Sequence, residues 1–354
     1  MLSRFIKPGK ANIIIDGQFG STGKGLIAAA ISEYNHIDIS IGRLSPNAGH
    51  TFYFNDKKCI VKMLPVSSII HKRSTIYLSA GSIIDLEILI KEINEFNIDT
   101  NRIVIHPRAA IISDNDKKIE ANKSGVASIA STQSGSGSAR ANKIMRKAKL
   151  AQDYISKFEK LGIEVYEIPI HFYMDSGVNI LIETGQGFDL GLNFGYNYPH
   201  CTSVDVIPSA VLADIGIHPC YLGNVMMSIR TFPIRVGHII ENNRIIGNSG
   251  PVYPDSNELS WKELNKPAEL TTVTKRQRRI FTFSIQQYQR SLEFIRPDFV
   301  FLNFINYLRE EDLIMFKKNI HLRKPDFVGY GPYTYQVCPY DQCILDNIIY
   351  KTNY

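Results

Sequence analysis

The stretch that most constrains this chain is Ile13-Ile14-Ile15-Asp16-Gly17-Gln18-Phe19-Gly20-Ser21-Thr22-Gly23-Lys24-Gly25. Its isoleucines read as a buried strand, and the glycines then turn the chain. From Thr22 through Tyr34, Ile27, Ala30, Ile31 and Tyr34 recur at the spacing of one helix face. A strand, a glycine-rich turn and a helix start aim backbone N–H groups and a positive dipole end at an anion. Lys24 adds a point charge suited to phosphate. The same glycines also serve a tight turn for steric reasons alone, so the rest of the chain has to decide between the two.

The 354 residues suffice for a sizeable core, and length alone allows one large α/β domain or two smaller ones. No internal repeat or interdomain linker stands out, so a single domain over residues 1–354 is expected. The excess of Lys and Arg over Asp and Glu, 40 against 34, suits small anionic substrates and does not demand nucleic acid. Five scattered cysteines (Cys59, Cys201, Cys220, Cys338 and Cys343) lack zinc spacing and read as reduced thiols. No apolar run reaches membrane-spanning length, and Met1 to Lys10 has no signal-peptide core. A cytosolic protein with no membrane partner is expected.

Strand-like runs follow at His36–Gly42, Thr75–Leu78, Arg102–His106, Asn179–Ile182, Met226–Val236 and Phe299–Phe304. Helical patterns fall at Ile83–Ile93, Ala139–Lys149 and Asp205–Ile215, and this alternation favours a mostly parallel sheet. Thr51–Phe54 and Cys59–Met63 flank Asn55-Asp56-Lys57 as a predicted hairpin, and Asn242-Asn243 reads as the tip of an excursion. The tail from Gly329 reads as irregular. Ser124–Ser138, rich in Ser and Gly, is either a flexible linker or a loop feeding a phosphate-binding helix start.

The first loop is not a Walker A motif. Gly17 lies one residue too far upstream, and Gly25 stands where the magnesium-binding hydroxyl belongs. The loop instead resembles the Gly-x-x-Trp-Gly-Asp-Glu-Gly-Lys-Gly loop of adenylosuccinate synthetases, with Ser21 and Thr22 replacing the Asp and Glu. In that form it is similar to the phage-type branch of the family, which acts on dGMP. Asn47-Ala48-Gly49-His50-Thr51 matches the family's next loop in full. Ala130-Ser131-Thr132-Gln133-Ser134-Gly135-Ser136-Gly137 resembles its Gly-Thr-Thr-Gly-Arg-Gly-Ile-Gly, without the Arg. Further likeness lies in Glu183-Thr184-Gly185-Gln186-Gly187, Tyr198-Pro199-His200-Cys201-Thr202-Ser203 and Arg235-Val236-Gly237. Thr272-Val273-Thr274-Lys275-Arg276-Gln277-Arg278-Arg279 resembles the family's Thr-x-Thr-Gly-Arg-x-Arg-Arg. These motifs occur in the family's order from about Ile13 to Gly331.

The resemblance implies an α/β fold, a mostly parallel central sheet flanked by helices, with the active site in loops at one sheet edge. It implies a ligase that phosphorylates the purine 6-oxygen and then lets the L-aspartate amine displace phosphate. The product from dGMP is 2-amino-2′-deoxyadenylosuccinate, for diaminopurine nucleotide synthesis. Catalytic roles fall on His50, as general acid at the 6-oxygen, and on Ser21 and Lys24. Gly20, Ser21, Thr22, Gly23, Lys24, Gly25, Asn303, Asn306 and Gly331 would hold the triphosphate. The dGMP set is Ser21, Asn47, Ser131, Thr132, Arg146, Gln186, Thr202, Val236 and Arg278, with Arg146 reaching across a homodimer. Aspartate would meet Thr272, Val273, Thr274, Arg276 and Arg278, whose guanidinium forks suit a dicarboxylate. Mg²⁺ would meet Ser21 and the Gly49 carbonyl.

Ser21 in place of Asp leaves room for an amino group at C2 and favours a guanine-type substrate. Leu302-Asn303-Phe304-Ile305-Asn306 replaces the family's guanine-reading Leu-Thr-Lys-Leu-Asp. A neutral amide both donates and accepts, so ATP or dATP is expected as donor. The asparagines could instead merely cap the strand, and Arg146 could lie on a solvated basic face. The alternatives are a conventional synthetase using IMP and GTP, and a nucleotide-dependent switch or nucleic-acid-binding protein. The last would need a Walker hydroxyl or a stacking platform that these motifs lack.

Overall fold

The computed structural model describes residues 5–121, 129–242, 244–271, 274–309, 320 and 322–341. Its centre is a ten-stranded sheet, and the strand that begins the phosphate-loop stretch, β1 (Ala11–Asp16), lies inside it. From one edge the order is Glu164–Val165, Ile103–Ile105, Thr75–Leu78, Ile39–Arg43, Ile180–Thr184 and β1. Beyond β1 come Leu222–Arg230, Phe299–Asn303, Phe327–Gly329 and Val337–Pro339. Every pairing is parallel except that of the last two strands. The expected mostly parallel sheet is present.

All six residues of β1 are buried, because helices cover both sheet faces. Side chains alternate between two cores. Ile13, Ile15, Ile41, Ile182 and Met227 face one, and Ile14, Leu181, Met226 and Phe301 face the other. Helix α1 (Lys24–Tyr34) buries Ile27, Ala28, Ala30 and Ile31 in the second core. Helices Pro208–Ile215 and Ile285–Ile295 pack Val211, Leu212, Tyr288 and Ile295 into the first. Fully burying one such aliphatic side chain contributes about 1.5–3 kcal/mol.

The chain leaves β1 through α1, builds the sheet outward on one side, and returns to insert Ile180–Thr184 directly beside β1. Leu222–Arg230 then joins on the other side. The carboxyl ends at this reversal form a crevice, where open α/β sheets bind ligands. The loops that matter therefore follow central strands rather than gathering at a sheet edge.

Three expectations are corrected. The run Met226–Val236 is two strands, since the chain turns at Thr231–Pro233 and Ile234–Arg235 pairs with Arg279–Phe281 in a second sheet. The tail adds an antiparallel strand, Val337–Pro339, where irregular chain was expected. Cys59, Cys201 and Cys220 are free thiols, but Cys338 is disulfide-bonded. The hairpin is found as His50–Phe54 against Lys57–Val61, its tip Asn55 and Asp56 both at positive φ, as a two-residue primed turn requires. Asn242 is likewise at a hairpin tip, and Asn243 lies outside the described residues. Among the described residues no helix is long and apolar enough to cross a membrane.

Candidate functional site

The phosphate loop is organised by Asp16, which the sequence reading passed over. Its buried carboxylate accepts from the backbone N–H of Gln18 (2.9 Å), Gly20 (3.2 Å) and Thr22 (3.3 Å). It also accepts from the Thr22 hydroxyl at 2.6 Å and pairs with Lys24 Nζ at 3.1 Å. Gly20, Ser21 and Gly23 all hold positive φ, so the glycines serve conformation as well as proximity. Gly23 caps α1 without a side-chain hydrogen bond. Gly25 is required by space: a Cβ there would lie 2.4 Å from the Thr51 carbonyl oxygen. The Walker hydroxyl is thus excluded, and the helix that follows the loop packs directly on the strand that carries His50. Gly187 is held in the same way, since its Cβ would meet Gln18 O and Gly20 N, each at 2.3 Å.

Strand Ile180–Thr184 supplies the next parts. Glu183 is buried and accepts from Val66 N (2.9 Å), Ser67 N (2.8 Å) and the Ser67 hydroxyl (2.7 Å). The same carboxylate stands 3.8 Å from His50 Nδ1, fixing the side from which that ring can be approached. His50 Nε2 is buried and has no partner. Gln186, at φ 70°, donates its amide to Asn47 Oδ1 at 2.8 Å, while its carbonyl accepts from Lys24 Nζ at 3.0 Å. Asn47 Oδ1 also accepts from Ser45. Lys24, Gln186 and Asn47 are therefore one connected chain, and Gly49 lies half-buried between Asn47 and His50.

A narrow cleft opens beside them, lined by Arg43, Ser45, Ser136, Arg140, Gln186 and Thr202 among others. Ser131, Thr132 and Ser134 precede the helix Ser136–Ile144, their hydroxyls linked to one another or to nearby backbone. The helix start is already filled: Glu120 accepts from Gly135 N, Gly137 N and Ser138 N at 2.7, 2.6 and 3.0 Å. Residues 124–128 lie outside the described residues; in the rest of Ser124–Ser138, the helix start that a phosphate-binding reading would use holds a carboxylate of this chain. Arg146 lies past the helix end, exposed and at φ 59°, and does not line the cleft.

The basic loop packs on the segment that precedes this helix. Arg276 donates to the Ala130 and Ser131 carbonyls at 3.2 and 2.9 Å, and its Nε donates to Thr274 at 3.1 Å. Lys275 sits at φ 55°, the position where the family's loop has Gly. Gly237 packs on this loop, its Cβ position 2.1 Å from the Gln277 carbonyl oxygen, which brings half-buried Val236 beside it. Thr272 and Val273 lie outside the described residues. Burial pushes the Arg278 guanidinium down to about 10 despite nearby Glu269.

Arg230, fully buried at the end of its strand, ties these parts together and was missed by the sequence reading. It donates to the Ser21 carbonyl (3.1 Å), pairs with Glu269 (2.7 Å), and stacks 3.9 Å from the Phe304 ring centroid. Glu269 in turn accepts from Arg278 N through its carbonyl (2.9 Å) and from the Tyr307 hydroxyl (3.2 Å). Burial pushes the Glu269 carboxyl up, but Arg230 and Arg278 outweigh it and hold it below its ordinary value. Asn303, expected among the residues that hold the triphosphate, supports the phosphate loop from below. It is 1% exposed, and its amide donates to Thr22 O (2.7 Å) and Ser228 Oγ (3.1 Å) beneath the loop. Asn306, three residues on, and Gly331, two residues past the Gly329 that pairs with Asn303, are half-buried. Buried polar atoms are ordinarily paired. Yet His50 Nε2, Arg140 Nε, Arg230 Nε and Arg276 Nη1, all in or beside this crevice, lack partners. Such a set of donors suits an anionic substrate.

Comparison with known proteins follows the same line. The adenylosuccinate synthetase profile matches residues 13–167 and 149–315. An N6-succino-2-amino-2′-deoxyadenylate synthase of Salmonella phage PMBT28 is 36% identical over 91% of this chain and 95% of its own length. One from Vibrio phage phiVC8 is 39% identical over 84% and 86%. The adenylosuccinate synthetase of Pyrococcus horikoshii is 33% identical over 78% of both chains. Among solved structures, the cyanophage S-2L succinoaminodeoxyadenylate synthetase, bound to dGMP and to dATP as an energy donor, superposes with a TM-score of 0.86. That likeness has 32% identity and covers 97% of this chain and 99% of that one. With the phosphate loop, the histidine loop and the arginine loop meeting in one crevice, the chain belongs to the adenylosuccinate synthetase family.

Proposed function

We propose that this chain joins L-aspartate to C6 of dGMP with hydrolysis of ATP or dATP. The purine 6-oxygen takes the γ-phosphoryl group, releasing the nucleoside diphosphate. The aspartate amine then attacks C6, and inorganic phosphate leaves with the 6-oxygen. The product is 2-amino-2′-deoxyadenylosuccinate. The observation that carries the reading is His50 Nε2, buried without a partner, on a strand seated against the start of α1. There it donates to the 6-oxygen as charge develops. Lys24 and the start of α1, which no side chain caps, receive the transferring phosphoryl group. Asn47 and Gln186 present amide edges to the base, and Thr202, Thr132 and Ser131 hold the nucleotide with Val236 against it. Arg276 and Arg278, with Thr272, Val273 and Thr274, receive the two carboxylates of aspartate. Ser21, exposed on the loop, leaves the space that a C2 amino group needs. The similar phage synthases, one of them bound to dGMP and dATP, support this choice over IMP and GTP.

Mg²⁺ fits the donors available. Asp16 is committed to the loop, and no group of three or more acidic, His or Cys side chains suited to an ion lies among the described residues. The Ser21 hydroxyl and Gly49 carbonyl are hard oxygens able to join an ion carried in by the triphosphate. When bound, it would neutralise phosphate charge. We also take the enzyme to be a single-domain cytoplasmic protein, of the host cytoplasm if it is phage-encoded, and a homodimer that shares Arg146 across its interface. Exposed Ile144 and Met145 beside that residue support a covered surface. The test is phosphate release by the purified protein. It should require both L-aspartate and dGMP, and His50→Asn should abolish it while dGMP still binds. Release without either substrate, or an active His50→Asn variant, would sink the reading.

A further inference from the structure

The cleft beside Gln186 carries more positive charge than the chain neutralises. Arg43 is answered at once, its Nε 2.6 Å from Asp214 and its Nη2 2.9 Å from the Asp205 carbonyl. Arg140 is not. Its Nη2 donates only to the Gly81 carbonyl (2.8 Å), its Nε is buried without any partner, and no carboxylate pairs with it among the described residues. Lys143, one helical turn on, donates to the neighbouring Ala80 carbonyl at 2.7 Å. Asp214 is the anion that acts on all three cations. Burial pushes Arg140 down to about 10 and Lys143 down to about 8, as expected of cations set in low dielectric with too little counter-charge. The other device for holding an anion here, the start of the helix Ser136–Ile144, is taken up by Glu120.

We propose that Arg140 binds the 5′-phosphate of the purine monophosphate from within the same subunit. The assignment rests on the dGMP reading above, which places that nucleotide in the cleft with Gln186 and Thr202. Three cations sharing one carboxylate leave a surplus that a phosphate monoester, carrying about −1.5 to −2 charges at pH 7, matches. A guanidinium with a free Nε–H offers a directed, charge-assisted hydrogen bond that a lysine at that place would not reproduce. Ser136 and Thr202 line the same cleft with hydroxyls. Arg140 is thus a binding residue supplied in cis, distinct from Arg146 expected from the partner subunit.

The test compares nucleotide with nucleoside in wild type, Arg140→Lys and Arg140→Met. Calorimetry gives the affinity for dGMP and for deoxyguanosine, and steady-state kinetics give kcat and KM. Arg140→Met should weaken dGMP by about 10- to 100-fold, one charge-assisted hydrogen bond, and leave deoxyguanosine unchanged. KM for dGMP should rise far more than kcat falls, and Arg140→Lys should recover only part of the loss. Equal losses for nucleotide and nucleoside, or unchanged dGMP affinity in a variant with wild-type Tm, would overturn the assignment. If Arg140→Met does not fold, Arg140→Lys alone still decides by the nucleotide-to-nucleoside ratio. Wild type that ligates IMP and not dGMP would refute the substrate reading instead, and the phosphate comparison is then made with IMP against inosine.

Discussion

Replacing Gly25 by alanine tests whether the phosphate loop and His50 are mechanically one unit. The new Cβ would lie 2.4 Å from Thr51 O, 2.9 Å from Thr51 C and 3.0 Å from Thr51 N, all backbone atoms. The worst of these is about 1 Å short of an ordinary 3.4 Å contact. Thr51 cannot yield alone, because His50–Phe54 is paired residue by residue with Lys57–Val61. Overpacking costs about 1–3 kcal/mol, while alanine in a helix returns about 1 kcal/mol relative to glycine. Net destabilisation should therefore be modest, about 0–2 kcal/mol. Activity should suffer more, because the strand that moves carries His50 and a 1 Å misplacement can cost about 100-fold in rate. The assay is phosphate release at saturating substrates, with thermal melting alongside. A kcat within about threefold of wild type, under about 1 kcal/mol of barrier, would refute the mechanical link.

Asn306→Asp should shift donor preference from ATP or dATP toward GTP by about 1.5–3 kcal/mol, read as the ratio of kcat/KM values; an unchanged ratio would place base recognition elsewhere. Mixing Arg146→Ala subunits with His50→Asn subunits should restore activity in mixed dimers, whereas a monomer or no complementation would contradict a shared site. Glu269, whose carboxyl is held low in the folded protein, contributes stability above its ordinary value of 4.5 that is lost as pH falls through the lower folded value. Urea denaturation should therefore show Glu269→Gln losing stability at neutral pH and flattening the acid limb below that point. A variant whose acid limb matches wild type would remove Glu269 from that account.

The sequence announced β1, α1 and the hairpin because each pairs an unambiguous hydrophobic period with a glycine or Asn-Asp turn. Boundaries moved by a few residues where tertiary pairing, not propensity, ends the element. The break at Thr231–Pro233 is set by a second sheet whose partner strand lies near residue 280. His50, Lys24, Asn47 and Gln186 could be found by motif and do meet in space. Asp16 could not, since a single acidic residue ending a strand has no pattern of its own. Arg230 and Glu269 are separated by 39 residues and meet only because a strand end passes beneath the arginine loop. Glu120 shows the converse: a Gly/Ser run before a helix reads as an anion site, and only the fold reveals that the anion is internal.

The central claim is the identity of the purine. Purified protein is given dGMP, GMP, IMP or dIMP, each with L-aspartate and ATP, dATP or GTP, and the succinylated nucleotide is quantified by mass spectrometry. The account predicts product from dGMP with ATP or dATP, and little from IMP with any donor. Efficient turnover of IMP with GTP, and none of dGMP, would contradict it.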